Sequence, residues 1–185
     1  MDDPEPELLT RRLHLRLPRQ EDAHEITRLA GDPEISANTL EIPYPYNERM
    51  ARDWISEVDQ KRDQRSELVF IIANRTSGEI IGAVGLMSLD QEHSRGKIGY
   101  WIGRPFWNRG YATEAVCAVL DYSFRVLNLR RVYAFYLTRN KASGRVMDKC
   151  GMRYEGVLRQ HIKKNGNFED VAIHGILREE YLSNG

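Results

Sequence analysis

The feature that most limits the fold is a change of hydrophobic period in the middle of the chain. Leu68 to Ala73 is a continuous apolar run, Asn74 to Gly78 supplies turn-forming residues, and Ile80 to Leu89 and Lys97 to Ile102 follow as two further strand-like runs. The last of them stops at Gly103-Arg104-Pro105, because proline cannot continue a hydrogen-bonded ladder. The period then becomes helical: Thr113 to Leu127 places Val116, Val119, Leu120, Ser123, Phe124 and Leu127 along one face. A three-stranded antiparallel meander followed by an amphipathic helix is therefore expected at the centre of the fold.

The flanks extend this pattern. Leu13, Leu15 and Leu17 alternate with His14 and Arg16 as a half-buried strand closed by Pro18, and Glu21 to Ala30 reads as a short helix ending before Gly31. Asp32 to Tyr46 contains Pro33, Pro43 and Pro45 and reads as a loop or broken helix. Asn47 can cap a second helix in which Met50, Trp54 and Val58 repeat every four residues, ending near Lys61. Arg131 to Leu137 is a strand, Asn140 to Cys150 a helix ended by Gly151, and Arg153 to Ile162 and Phe168 to Leu177 form a hairpin through Asn165-Gly166. The expected architecture is α/β of the α+β kind: a mixed, mostly antiparallel seven-stranded sheet flanked by about four helices, in one domain spanning residues 1–185.

Charge excludes several function classes. Lys plus Arg and Asp plus Glu are both 27, so no net field draws the chain to nucleic acid or to an anionic membrane. No stretch approaches the ~20 apolar residues of a membrane span. The acidic start Met1-Asp2-Asp3-Pro4-Glu5 is the opposite of a signal peptide's basic region, and a cytoplasmic location is expected. The two cysteines, Cys117 and Cys150, make neither a disulfide framework nor a metal site; buried or half-buried free thiols are preferred to a functional pair. A P-loop, a dinucleotide-binding glycine fingerprint, a serine elbow and a zinc-spaced histidine pair are all missing, and no metal is expected.

The informative segment is Trp107-Asn108-Arg109-Gly110-Tyr111-Ala112-Thr113-Glu114, after a strand and at the opening of a helix. The first turn of a helix carries unpaired N–H groups and the positive end of the dipole, so it can hold a phosphate. Gly110 lets the backbone come close to that anion, Arg109 adds a full charge, and the short Ala112 leaves the approach open. Taken alone, the segment reads equally as a glycine turn with Thr113 as N-cap and Glu114 as an ordinary first-turn acid.

This segment resembles the pyrophosphate-binding loop of the GNAT acetyltransferases, usually written Gln/Arg-x-x-Gly-x-Gly/Ala, with Gly110 and Ala112 matching. Trp107 stands where that pattern has Gln or Arg, but Trp-x-x-Gly-Tyr-Ala-Thr-Glu-Ala is similar to the RimJ/RimL branch, the N-terminal acetyltransferases of ribosomal proteins and their relatives. The likeness extends through Ile98-Gly99-Tyr100-Trp101-Ile102, Asn140-x-x-Ser143 and Cys150-Gly151-Met152, covering Leu9 to Leu177. It implies the GNAT fold and acetyl-CoA as donor. The cofactor site it implies comprises the loop from Trp107 to Thr113, the backbone of Tyr100, Trp101 and Ile102 along a pantetheine arm added like a strand, and Asn140 and Ser143. The side chains of Tyr100 and Trp101 are read as sheet aromatics.

Without the resemblance, Asn140 is an N-cap and Ser143 a first-turn residue. With it, Ser143 lies close to the sulfur. Many relatives carry a tyrosine four residues later to protonate the departing thiolate; here Met147 has no proton to give, and Ser143 is the nearest replacement, either donating directly or orienting a water. The implied reaction is direct attack of a primary amine on the thioester, a protein N-terminus being favoured over a small-molecule amine. Glu41, Asp90, Glu92, His93 and His161 are candidate bases, none singled out. Asn38, Tyr44 and Tyr46 are expected on the acceptor wall, with the Asn165-Gly166 hairpin beside them. Such relatives commonly form homodimers, and the sequence isolates no interface of its own. The Met147 departure leaves a second reading open, a CoA-binding regulatory or interaction module that does no chemistry.

Overall fold

A computed structural model describes residues 5–183; the acidic start from Met1 to Pro4 lies outside the described residues. Eight strands form one sheet in the order β1-β2-β3-β4-β5-β6-β8-β7. They are β1 (Leu8–Leu9), β2 (Leu13–Arg16), β3 (Leu68–Asn74), β4 (Ile80–Asp90), β5 (Arg95–Ile102), β6 (Arg131–Leu137), β7 (Arg153–Lys164) and β8 (Asn167–Leu177). Every neighbouring pair is antiparallel except β5 and β6. The helices are α1 (Ala23–Ala30), α2 (Pro33–Asn38), α3 (Glu48–Asp63), α4 (Tyr111–Arg125), α5 (Lys141–Lys149) and α6 (Arg178–Ser183). None of them is long and apolar enough to cross a membrane.

The expected architecture is found, with one more strand and two more helices. The additional strand β1 has two residues, too short to carry a period of its own, and it exists because Leu8 and Leu9 pair with Leu15 and His14. In the proline-rich stretch, α2 forms because Pro33 occupies the first turn, where its missing N–H costs nothing, and the Asp32 carboxylate accepts the Glu34 N–H. The C-terminal α6 follows β8 directly and had no periodic signature. The helix α5 ends one residue earlier than expected, so Cys150 is its C-cap, and Gly151 takes the left-handed conformation at φ 79°.

The two faces of the meander are covered differently. Phe70 of β3 meets the Tyr122 ring of α4 edge-on at 6.3 Å, while Val69 opens toward Trp54 and Val58 of α3. Alternation along a strand makes these opposite faces, so α4 covers one side and the α1–α3 layer the other. Phe70, Leu86, Ile98 and Phe124 are fully buried in the resulting core.

One topological detail positions the site. The parallel pairing of β5 with β6 runs from Arg95↔Arg131 to Ile98↔Ala134 and then stops, although β5 continues to Ile102 and β6 to Leu137. On its other side β5 stays paired with β4 as far as Gly82↔Ile102. The sheet therefore opens into a wedge from Gly99 onward, with strand edges left unpaired inside it.

Candidate active site

At the mouth of this wedge the chain turns sharply into α4. Asn108 and Gly110 both take left-handed conformations, at φ 60° and 79°. Gly110 is itself the N-cap of α4, so the helix begins at Tyr111 and Thr113 lies inside its first turn rather than capping it. The Trp107 indole N–H donates to the Ile102 carbonyl at 2.6 Å, which fastens the loop to the end of β5. That bond also occupies the Ile102 carbonyl. The loop is held from the outside by Arg12, which donates to the Arg109 carbonyl at 2.9 Å and stacks 4.6 Å above the Tyr111 ring.

Glu114 anchors Arg12 in turn. Its carboxylate accepts from the Thr10 hydroxyl at 2.7 Å, the Arg12 backbone N–H at 2.9 Å and the Arg12 Nε at 2.7 Å. Burial by itself would raise the Glu114 carboxyl, but these bonds outweigh it and hold it below the ordinary range.

A cavity of about 370 Å³ lies between the loop, the open end of β5 and α5. Of the sequence-predicted cofactor residues, Tyr100, Trp101, Ile102, Trp107, Asn108, Gly110, Tyr111, Ala112, Thr113, Asn140 and Ser143 all border it. Arg109 does not: it is exposed, and its guanidinium sits 6.0 Å from the Phe106 ring centre. The cations that border the cavity come from α5 instead, Arg145 and Lys149, neither with an acidic partner among the described residues. Their i, i+4 spacing on the face that carries Ala142 and Val146 was the available signal. Asn140 caps α5 by accepting the Ser143 N–H at 3.2 Å, and its side-chain amide donates to the Asn38 carbonyl at 3.0 Å, so it ties α2 to α5 across the cavity.

A second cavity, about 450 Å³, lies on the α3 face of the sheet. The two cavities share Asn38, Thr39, Tyr100, Trp101 and Ser143 as a common border. At that border the Tyr100 hydroxyl donates to Ser143 Oγ at 3.2 Å. Burial pushes the Tyr100 phenol up to about 12, so it keeps its proton at neutral pH. This pairing was not legible in the sequence, which placed no tyrosine near Ser143; Met147 is buried beneath it.

Among the acceptor-wall residues, Asn38 and Tyr46 border the second cavity, and burial raises the Tyr46 phenol to about 12. Tyr44 borders neither cavity and is 58% exposed, because its turn faces solvent. The Asn165-Gly166 turn, with both residues left-handed, also lies outside; its neighbour Lys164 reaches the Ile42 carbonyl at 3.4 Å. Glu41 alone of the candidate bases borders the second cavity, in an ion pair with Lys97 at 3.3 Å. Asp90 ends β4, and Glu92 and His93 lie in the turn to β5, from which the His93 N–H holds the Asp90 carboxyl below its ordinary value. His161 is exposed on β7, its ring edge-on to Phe135 at 6.1 Å.

Comparison with known proteins bears on this geometry. A family model described as an acetyltransferase (GNAT) domain matches residues 12–153. The uncharacterized N-acetyltransferase p20 of Bacillus licheniformis is 34% identical over 174 residues, covering 94% of this chain and 97% of that protein. The spermidine N(1)-acetyltransferase of Vibrio cholerae is 25% identical over 171 residues, covering 92% and 96%. Among solved structures, RimL, a ribosomal L7/L12 alpha-N-protein acetyltransferase in complex with coenzyme A, superimposes with a TM-score of 0.86 at 17% identity, over 93% of this chain and 98% of its own. At that identity the last likeness concerns the fold.

Proposed function

The chain belongs to the GNAT acetyltransferase family and is an acetyl-CoA-dependent N-acetyltransferase; from that premise we propose that it acetylates a peptide N-terminus by direct transfer in a ternary complex, at the border shared by the two cavities. The observation that carries this reading is that border: the cofactor-side and acceptor-side cavities meet at Tyr100 and Ser143. A thioester lying in the first cavity would present its carbonyl to an amine in the second.

The cofactor residues divide the binding among them. The N–H groups of the first turn of α4 take the pyrophosphate, with Gly110 giving close approach and the dipole favouring the anion. Arg145 and Lys149 supply the positive charge from α5. A pantetheine arm would fit the wedge as an added strand, against backbone groups on the β6 side of β5 that have no strand partner beyond Ile98.

In the transfer, the neutral amine attacks the thioester carbonyl, an N–C bond forms and the C–S bond breaks. Backbone N–H groups in the wedge stabilise the oxyanion, and the thiolate leaves with a free thiol pKa near ~8.5. Its proton comes from Ser143 Oγ, which is resupplied by the Tyr100 hydroxyl 3.2 Å away, and the proton that the attacking nitrogen sheds as the amide forms returns through solvent to Tyr100. The relay takes the place of the acid that Met147 lacks. The proton lost by the incoming ammonium passes to solvent before attack.

Release of CoA thiol on mixing with acetyl-CoA and an Ala-initiated peptide tests the reading. Tyr100→Phe should lower kcat by about 10- to 100-fold with the affinity for acetyl-CoA unchanged; an unchanged kcat removes the relay. Binding of acetyl-CoA without thiol release, whatever the amine, would identify a CoA-binding module in place of an enzyme.

A further inference from the structure

The second cavity has features that narrow the acceptor. Its floor is a cross-strand glycine pair, Gly85 of β4 opposite Gly99 of β5. A side chain at either place would force its neighbours to move: a Cβ on Gly99 would stand 2.4 Å from Met87 Cε, and one on Gly85 would stand 2.8 Å from the Leu68 carbonyl oxygen. Around this floor stand Trp54, Val58, Val69, Met87, Trp101 and Phe135. The volume of about 450 Å³ exceeds what an amine and its α-carbon occupy, and it falls within the ~300–1,000 Å³ range of small-ligand sites.

The carboxylates at its edge each lie near a cation of the chain. Lys61 stands between Glu57 at 2.6 Å and Glu67 at 3.1 Å, Lys97 holds Glu41 at 3.3 Å, and Arg49 lies 3.7 Å from Asp53. The four carboxylates bordering the cavity thus face three cations from the chain itself, Lys61 being shared by Glu57 and Glu67. A polycation placed here would have to compete with these cations for the carboxylates and bury part of its own charge against an apolar wall. A single amine carrying an apolar substituent asks for neither.

We propose that this cavity selects acceptors whose one primary amine sits beside a large apolar group: a peptide N-terminus with a Leu- or Phe-like first residue, or a small arylalkyl or branched alkyl amine of the same shape. The inference rests on the acetyl-transfer reading and specifies its acceptor. The amine reaches Ser143 and Tyr100 at the border, while the apolar group settles over Gly85 and Gly99 between Trp54 and Trp101.

The test follows CoA thiol release by the full chain with acetyl-CoA and five acceptors: a Leu-initiated and an Ala-initiated peptide of otherwise equal sequence, leucine amide, phenethylamine and spermidine. The Leu peptide should exceed the Ala peptide by at least about 10-fold in kcat/KM, with spermidine below both. Gly99→Val should bring the Leu/Ala ratio close to one, and Trp54→Ala, on the half-exposed face of α3, should lower the same ratio if the first variant does not fold. Equal or better use of the Ala peptide or of spermidine overturns the apolar rule while leaving acetyl transfer intact. Leucine amide or phenethylamine outperforming the Leu peptide keeps the apolar rule and overturns the peptide reading. Acetyl-CoA binding with no thiol released by any acceptor overturns both.

Discussion

Glu114→Gln gives the sharpest test of how the proposed cofactor loop is held. Glutamine keeps the shape of the side chain and removes its charge. The carboxylate accepts three hydrogen bonds, from the Thr10 hydroxyl, the Arg12 backbone N–H and the Arg12 guanidinium. A bond to a charged group is roughly twice as strong as a neutral one, so each loses about 1 kcal/mol, and the glutamine amide turns a donor toward one of the donors. The helix dipole adds about 0.3–1 kcal/mol, because Glu114 lies in the first turn of α4. The Glu114 side chain is 18% exposed and that of Arg12 34%, so solvent screens part of this and the expected loss is about 2 kcal/mol at pH 7. Urea unfolding followed by circular dichroism measures it. The dependence on pH has a definite sign. The folded-state carboxyl lies below its unfolded value, so the folded protein binds fewer protons, and the stabilisation is complete above the unfolded value. It fades as pH falls through the lower folded value, so the gap between wild type and variant should narrow between about pH 5 and pH 3. A gap below about 0.5 kcal/mol at pH 7, or one of equal size at both ends of that range, would refute the reasoning.

Two further outcomes follow from the same geometry. Gly110→Glu places an anion beside the first turn of α4 and forces a side chain into φ 79°, with its Cβ 3.4 Å from Arg12 Nη2; acetyl-CoA affinity by calorimetry should fall by about 100-fold or more, and an unchanged affinity would move the pyrophosphate elsewhere. Cys117 and Cys150 are free thiols with Sγ atoms 2.8 Å apart; the Cys150 S–H can donate to a Cys117 thiolate and lowers the Cys117 thiol, while that same neighbour and burial raise Cys150. Iodoacetamide should therefore modify Cys117 about 10-fold faster than Cys150 by mass spectrometry of the intact protein, and equal rates would show that the hydrogen bond does not govern them.

What the sequence determined by itself was local. The strands of the meander, the helix after Gly110, the Asn165-Gly166 turn and the Gly151 cap each follow from a period or from a residue type that suits one conformation. The glycine turn into α4, which we propose as the cofactor loop, was legible for the same reason, since its conformation is that of one helix terminus and the residues before it. Tertiary structure decided everything that depends on pairing across the chain. β1 exists only through β2, and the wedge exists because β5 and β6 part after Ile98↔Ala134, a register no local pattern encodes. Glu114 looked like an ordinary first-turn acid until Thr10 and Arg12, about a hundred residues away in sequence, closed around it. Arg109 was the nearest cation to the loop in sequence, yet Arg145 and Lys149 are the ones the fold brings to the cavity. Tyr100 and Ser143 are 43 residues apart, and only the packing of α5 against the open end of β5 brings a buried phenol within 3.2 Å of the serine. A side chain's conformational preference is written in its own neighbourhood, whereas its partner is chosen by the sum of all the packing that surrounds it.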